Sequence, residues 1–341
     1  MAKLRVLVLA GGQSGEHEIS LLSTRSMLQE LASERIEVTP LVIAKDGTWL
    51  DLEASRSAIR EKSVATGGLP VLRRAGVAHD FDVVFPLLHG PHGEDGTVQG
   101  MLELGNIPYV GSGVLASSLC MDKAMCKDVL KSHGLTQLRY TLTTRAEWMA
   151  HPEQALHRAA ELSGPWFVKP ANLGSSVGIT KAKTKDELRA SIVLALEHDR
   201  RVIIEEGLPG IREVEVAVMG NDAPEASPVG EIHYDAEFYD YETKYTPGRS
   251  SMSIPAKLPE KVARELRAQA LLAYRALDCA GLARVDFFYQ ESTGKAVINE
   301  LNTIPGFTPF SMFTKLWMAT GLTYTQVVEK LVDHALERHR R

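Results

Sequence analysis

The segment ARVDFFYQESTGKAVINELN, residues 283 to 302, constrains the fold more than any other stretch of this chain. Apolar residues alternate on either side of Ser292-Thr293-Gly294, the pattern of two antiparallel strands joined by a tight turn. Gly294 suits the left-handed position that ends a three-residue hairpin loop. That turn predicts a register in which Glu291 faces Lys295, Asp286 faces Glu300 and Arg284 faces Asn302. Strand side chains alternate between faces, so Arg284, Asp286, Glu300 and Asn302 share one side. Two carboxylates directly opposite each other repel. Either this is the solvated face of an edge hairpin, or a hard divalent cation such as Mg²⁺ relieves the conflict with oxygen ligands from Asp286, Glu300 and Asn302. The cluster as a whole, followed at once by Pro305-Gly306, favours the metal.

The first third of the chain alternates strands and helices. LRVLVLA reads as a buried strand and GGQSGEHEIS as a loop leading into the helix SLLSTRSMLQELAS. IEVTPLVIA and DVVFPLLHG follow as strands, an order that predicts an α/β fold on a parallel, doubly wound sheet. Ligands bind such sheets at the carboxyl ends of the strands, where GGQSGE and LLHGPHGEDG both fall. A Gly-Ser-Gly turn at 111 to 113 precedes the helix MDKAMCKDVLKSHG, with Gly134 as its stop. Residues 164 to 183 read as strand, glycine-serine loop and strand, followed by a helix and the strand RVIIEE, a small α+β unit of its own. The polar, aromatic-rich stretch 233 to 259 reads as a long loop, and such loops in compact enzymes are usually functional. A helix over 260 to 279, the hairpin and a closing helix near 323 to 339 complete the chain.

The length of 341 residues accommodates about two or three domains. A net charge of −5 without a long basic run argues against a nucleic-acid surface. Cys120, Cys126 and Cys279 make an odd count, and the spacing of the first two fits no common zinc pattern, so buried thiols in a reducing compartment are expected. The apolar run from Val6 to Ala10 is too short for a signal peptide and ends in Gly11-Gly12. No stretch approaches the roughly 18 apolar residues of a membrane span. The expectation is a cytoplasmic protein without membrane or nucleic-acid partners.

Several short segments carry chemistry, each with a plainer alternative. NLGSSVG, 172 to 178, is either a hairpin turn or a loop whose free N–H groups approach phosphate, with Lys169 nearby as a point charge. It is not a Walker A loop, since G-x-x-x-x-G-K-[ST] is absent. GGQSGEHEIS fails the G-x-G-x-x-G spacing of a dinucleotide fingerprint. Glu16 and Glu18 at a helix start either complement the dipole or, for Glu16, face a ligand amine. His89 and His92 lie in a glycine-rich turn where a histidine is ordinarily a surface residue. Lys244 and Tyr245 form either a surface pair or part of a lid over reacting phosphates.

Taken in order, GGQSGEHEIS, LLHGPHGEDGTVQG, MDKAMCKDVL, FVKPANLGSSVGI, DYETKYTPG, ARVDFF and INELNTIPGFTPFSMF closely resemble the D-alanine–D-alanine ligases of the ATP-grasp superfamily, over about residues 4 to 330. The resemblance implies three domains: a Rossmann-like domain at 1–118, a central ATP-grasp lid at 119–204 and a C-terminal ATP-grasp domain at 205–341. It implies ATP, two Mg²⁺ (or Mn²⁺), D-alanine as substrate, a D-alanyl phosphate intermediate and a homodimer. By the same resemblance Lys123, Lys169, Ser176 and Lys244 meet ATP, and Glu205 and Glu213 meet adenine and ribose. Asp286, Glu300 and Asn302 hold metal. Arg284 and the Gly306 N–H form the oxyanion hole. Glu16 holds the first D-alanine's ammonium with His89 near its carboxylate. Ser311 and the Met312 backbone hold the second carboxylate. Ser175 and Tyr245 link the central loop to the lid. Two departures stand out. GLPGIREVEV carries an extra residue, so Glu215 competes with Glu213 for the ribose, and Thr314 replaces a frequent proline. The rival readings are ligases using D-lactate or D-serine, a nicotinamide dehydrogenase and a non-catalytic amino-acid-binding protein.

Overall fold

The computed structural model describes residues 2–61, 81–174, 178–234 and 250–340. Strand β1 (Leu4–Gly11) is buried along nearly its whole length because β2 (Ile36–Ile43) and β3 (Val83–Pro86) flank it in parallel, in the order β2-β1-β3. Continuous apolar composition is what such a doubly covered strand requires. At its end Gly11 and Gly12 both take positive φ, and a Cβ on Gly11 would lie 2.2 Å from the Ile43 carbonyl. The Gly11 N–H is accepted at 2.7 Å by Ser20 of helix α1 (His17–Glu30), whose hydroxyl also bonds the Leu87 carbonyl beyond β3. One serine therefore fastens together the two strand ends that open the cleft.

Helices α2 (Leu52–Glu61), α3 (Thr97–Leu104), α4 (Val114–Met121) and α5 (Lys123–Ser132) follow. The next unit is an antiparallel sheet in the order β4-β7-β5-β6, built from β4 (Tyr140–Thr144), β5 (Trp166–Pro170), β6 (Thr180–Ala182) and β7 (Arg201–Glu206). Helices α6 (Arg145–Ala150), α7 (Pro152–Ala160) and α8 (Lys185–His198) accompany it, with a small core around Val168, Leu188 and Ile192.

The third sheet runs β10-β9-β8-β11-β12, antiparallel throughout, from β8 (Ile211–Gly220), β9 (Glu225–Tyr234), β10 (Ser250–Ser253), β11 (Gly281–Gln290) and β12 (Lys295–Asn302). Helix α9 (Glu260–Ala276) covers one face. On the other, α10 (Met312–Met318) and α11 (Tyr324–His339) share a core with β1 and β3 of the first sheet. Phe307 sits at that junction, fully buried, with Phe85, Phe313 and Tyr324 rings 5.3, 5.9 and 5.8 Å away.

The hairpin register differs in one respect from the sequence expectation. Its turn takes four residues, so Gln290, not Glu291, faces Lys295. Gly294 is left-handed as expected, at φ +67. The one-residue difference is returned by a bulge at Asn299, between the pairs Phe287–Ile298 and Asp286–Glu300. Asp286 therefore faces Glu300 and Arg284 faces Asn302 as predicted, through two offsets that cancel. The stretch 233 to 259 is not one loop: His233 and Tyr234 pair with Ser251 and Ser250, and strand continues to Ser253. Lys244 and Tyr245, like Ser175 and Ser176, lie outside the described residues.

Gly281 begins β11 at φ +70, and a Cβ there would meet the Gly111 backbone nitrogen at 2.9 Å. Backbone cannot step aside as a flexible side chain can. Gly281→Ala is expected to lower unfolding free energy by about 1–3 kcal/mol, read as a shifted denaturant midpoint at unchanged slope. An unchanged midpoint would show that this contact has room to relax.

Candidate active site

The shared face of β8, β11 and β12 places three carboxylates side by side, with Glu215 opposite Asp286 on one flank and Glu300 opposite it on the other. Arg284 answers this crowding. Its Nε and Nη2 donate to the two Asp286 oxygens, each at 2.7 Å, and Nε lies 2.9 Å from Glu215 Oε2. Asn302 Nδ2 donates to Asp286 at 3.0 Å. Burial alone would depress the Arg284 pKa, but Asp286 and Glu215 hold it well above its ordinary value. Glu215 is thus engaged with the arginine. Glu213, two residues earlier on the same face, accepts instead from the Tyr234 hydroxyl at 2.7 Å.

A second ionic group lies across the cleft. Glu205 on β7 sits between Lys127 of α5, at 2.8 Å, and Lys169 of β5, at 2.6 Å, and its side chain is 2% exposed. Burial opposes its charge, yet the two ammonium groups bring its pKa down to about 2. Burial likewise disfavours the Lys169 charge, and Glu205 more than compensates, raising that pKa. Lys123 begins α5, where Asp122 caps the helix by accepting from Ala124 and Met125. Its Nζ donates to the Leu173 carbonyl at 2.6 Å, fastening it to the glycine-serine loop. Lys127 was not singled out from sequence. The available signal was its i,i+4 spacing from Lys123, which puts both on one helical face.

At the mouth formed by the first sheet, Glu16 precedes α1 but makes no side-chain cap bond. Its Oε2 stands where only glycines leave space: a Cβ on Gly90 or Gly174 would lie 2.8 or 2.6 Å away. Gly174 adjoins Ser175, so the central loop meets the Glu16 carboxylate. Glu18 instead pairs with Lys45 at 3.2 Å on the surface. His89 is buried, and its Nδ1 donates to the Ile304 carbonyl at 3.0 Å, leaving Nε2 3.4 Å from the Ser23 hydroxyl. Burial lowers the His89 pKa despite the nearby Glu16. His92 is exposed on the turn. Ser311 opens α10, its hydroxyl accepting from the Thr308 N–H at 3.0 Å, and a Cβ on Gly306 would come within 3.1 Å of that hydroxyl. Met312 belongs to the core and also lines the cleft. Thr314 is fully buried, its hydroxyl bonding the Thr308 and Ser311 carbonyls, so it braces this turn.

These groups converge on one open cleft of about 900 Å³, and every described residue of the expected set lines it. Among the described lining residues, eight carboxyl groups meet five lysine or arginine charges. One of the eight, Glu94, is largely protonated at neutral pH because burial and the nearby Glu16 raise its pKa to about 8. No cluster of three or more His, Cys, Asp or Glu set to hold a metal occurs among the described residues. Asp286, Glu300 and Asn302 are instead a mixed oxygen set with two carboxylates. All three cysteines are buried and free, as expected from their count.

Family models described as D-ala D-ala ligase N-terminus and D-ala D-ala ligase C-terminus match residues 5–112 and 129–333. The D-alanine–D-alanine ligase of Deinococcus radiodurans is 56% identical over 336 residues, covering 98% of this chain and 99% of that protein. The Bacillus cytotoxicus ligase is 45% identical, covering 100% and 98%. Among solved structures, the VanG D-Ala:D-Ser ligase from Enterococcus faecalis aligns with a TM-score of 0.84 at 35% identity, covering 98% of this chain and 100% of that one. The Coxiella burnetii D-alanine–D-alanine ligase aligns at 0.82 and 34%, covering 100% and 96%.

The Glu205 group makes a pH prediction. Its folded pKa lies below the ordinary 4.5, so its stabilisation is complete above that value and is lost as pH falls from 4.5 towards 2. Glu205→Gln leaves two buried ammonium groups unbalanced and should cost about 3–5 kcal/mol at pH 7. The gap to wild type should narrow below pH 4.5, measured by denaturant unfolding across a pH series. A gap independent of pH would mean that Glu205 is not ionised through these contacts.

Proposed function

This chain belongs to the D-alanine–D-alanine ligase family, and we propose on that basis that it joins two D-alanine molecules, with ATP converted to ADP and phosphate, to make a peptidoglycan precursor. The observation that carries this reading is the convergence of the Glu205 ionic group, the Arg284–Asp286–Glu300 face and the Glu16–His89 corner on one cleft. The three sheets are read as the cores of three domains, 1–118, 119–204 and 205–341. The γ-phosphoryl group passes to the carboxylate of the first D-alanine. The amine of the second attacks the resulting acyl phosphate, loses a proton, and expels phosphate from a tetrahedral intermediate.

Such phosphoryl transfer is mostly positioning and charge neutralisation. Lys123 and Lys169 are assigned to the phosphates, with Ser176 and Lys244 beside them by family resemblance. Glu205 is assigned to adenine, and Lys127 keeps its carboxylate ionised. Glu213 takes the ribose role rather than Glu215, because Glu215 is committed to Arg284. Arg284 and the Gly306 N–H are assigned to the oxyanion by family resemblance, a role worth on the order of 10²–10³ in rate for one such donor. Glu16 is assigned to the first ammonium, its carboxylate standing in room that its glycine neighbours leave. Ser311 and the Met312 N–H receive the second carboxylate.

Asp286, Glu300 and Asn302 fit Mg²⁺ or Mn²⁺ through their oxygen donors and through the excess of carboxylates in the cleft. When bound, the ions supply charge neutralisation at the polyphosphate. Family resemblance extends the proposal to a homodimer in the cytoplasm. No described helix is long and apolar enough to cross a membrane.

The test is ADP release with D-alanine, D-serine and D-lactate offered singly and in pairs, with product analysis. D-alanyl-D-alanine is the expected main product. Predominance of a D-serine product would move the chain towards the VanG-like activity, and absence of ADP release would end the ligase reading. Glu300→Gln should keep the fold while lowering metal-dependent turnover by about 10²–10³, the loss typical of a developing-charge stabiliser. Wild-type turnover in that variant would put the metal elsewhere.

A further inference from the structure

Glu94 lies in LLHGPHGEDG, the segment that leaves β3. In the structure its two oxygens point apart. Oε2 accepts from the Gly90 N–H at 2.7 Å, within its own turn, and Oε1 accepts from the Ile304 N–H at 3.2 Å, across the cleft floor. The Ile304 carbonyl is bonded from the same turn by His89 Nδ1 at 3.0 Å. Both backbone groups of one residue in the third sheet's unit are therefore gripped by the loop that leaves β3.

The position of Ile304 makes that grip consequential. β12 ends at Asn302, so its ladder no longer fixes the chain at Ile304. Pro305 carries no N–H and offers no further donor. Three residues on, Phe307 is locked in the shared core, and its carbonyl accepts from the Tyr324 hydroxyl at 3.0 Å. Gly306, with no side chain of its own to anchor it, hangs between those two fixed points. The clamp on Ile304 sets one of them. The turn bearing Glu94 is itself braced: Gln99 Nε2 donates to the Gly93 carbonyl at 2.8 Å, and the Glu94 N–H donates to the Gly90 carbonyl at 2.9 Å.

The geometry points to Glu94 as a positioning residue for the ligation: through Ile304 it fixes the Gly306 N–H relative to Asn302 and to the Glu16–His89 corner. It touches no reacting atom in this role. Its effect is to hold the oxyanion donor, carried by the third sheet's unit, in register with the first-substrate corner, carried by the first sheet. The inference rests on the ligase reading. It adds a mechanical link between the two halves of that site.

Glu94→Gln is the informative variant because it conserves shape. Burial and the nearby Glu16 raise the Glu94 pKa to about 8. Either carboxyl oxygen, protonated or not, can still accept a hydrogen bond, whereas an amide has one acceptor and one donor end, so one of the two N–H groups must face an NH₂ group. A residue that merely filled space would tolerate the change. The expected result is a kcat about ten- to a hundred-fold lower, the scale of a lost buried hydrogen bond or a misplacement near 1 Å. KM for ATP should stay within about twofold, because Lys169 and Glu205 lie on other elements, and the melting temperature should fall by only a few degrees, leaving the enzyme folded under assay. Hydrogen exchange gives a second measurement independent of the variant's folding: the Ile304 amide in the wild-type enzyme should be strongly protected. Unchanged kcat in a folded Glu94→Gln enzyme overturns the inference, as does an unprotected Ile304 amide in the wild type. Wild-type protein that releases no ADP with D-alanine overturns the ligase reading instead, so the two failures are distinguishable.

Discussion

The arrangement of the cleft depends on one cation held between two carboxylates, the Arg284 guanidinium with Asp286 and Glu215. Three acidic side chains on adjacent strands of one sheet face would otherwise repel one another across a few ångströms. Planar, forked and permanently charged, the guanidinium bonds both oxygens of Asp286 and still reaches Glu215, which an ammonium could not match. The sheet can thus carry an acidic face into a partly buried setting. In the proposed reaction that face would meet a polyphosphate with its counter-ions. Across the cleft Glu205 applies the inverse scheme, one carboxylate between two lysines. Each wall is organised around a buried charge of the sign its neighbours lack.

The two walls are kept at a working distance by apolar packing. Phe307 packs against Phe85 of the first sheet and Phe313 and Tyr324 of the third unit, so the segment after β12 is part of a core shared by both. Removing a buried phenylalanine of this kind typically costs about 3–5 kcal/mol. Here the cost would fall on the segment that carries Gly306. Stability and alignment of the site draw on the same side chains.

How much of this was legible in the sequence depended on the range of the interaction. β1 was readable because a doubly covered parallel strand must be largely apolar, and LRVLVLAG is so beyond Arg5 at its exposed start. The Asp286–Glu300 pairing was readable because side-chain alternation is local. The bulge at Asn299 was not, since an extra residue leaves no mark in composition and its effect cancelled a misjudged turn. β10 was hidden because SSMS has no apolar alternation and lies on a sheet edge, where pairing rather than burial defines it. Glu94 and Lys127 were overlooked for a different reason. Their partners, Ile304 and Glu205, are distant in sequence, and no local pattern announces a contact that only the assembled fold creates. Which of Glu213 and Glu215 Arg284 reaches was likewise beyond the sequence.

The bulge at Asn299 has a use outside chemistry. It lies between the hairpin's exposed tip, Glu291–Gly294, and the pairs at Asp286 and Arg284. A strand that has already absorbed one supernumerary residue there does not rely on an unbroken count from the tip to keep its inward side chains aligned. Below the bulge, pairing with β8 on the far side holds β11 in place independently. The tip is therefore a natural splice point. A fluorophore, an epitope or a short tether inserted between Glu291 and Gly294 would ride on solvent, while the strands beneath it kept their order.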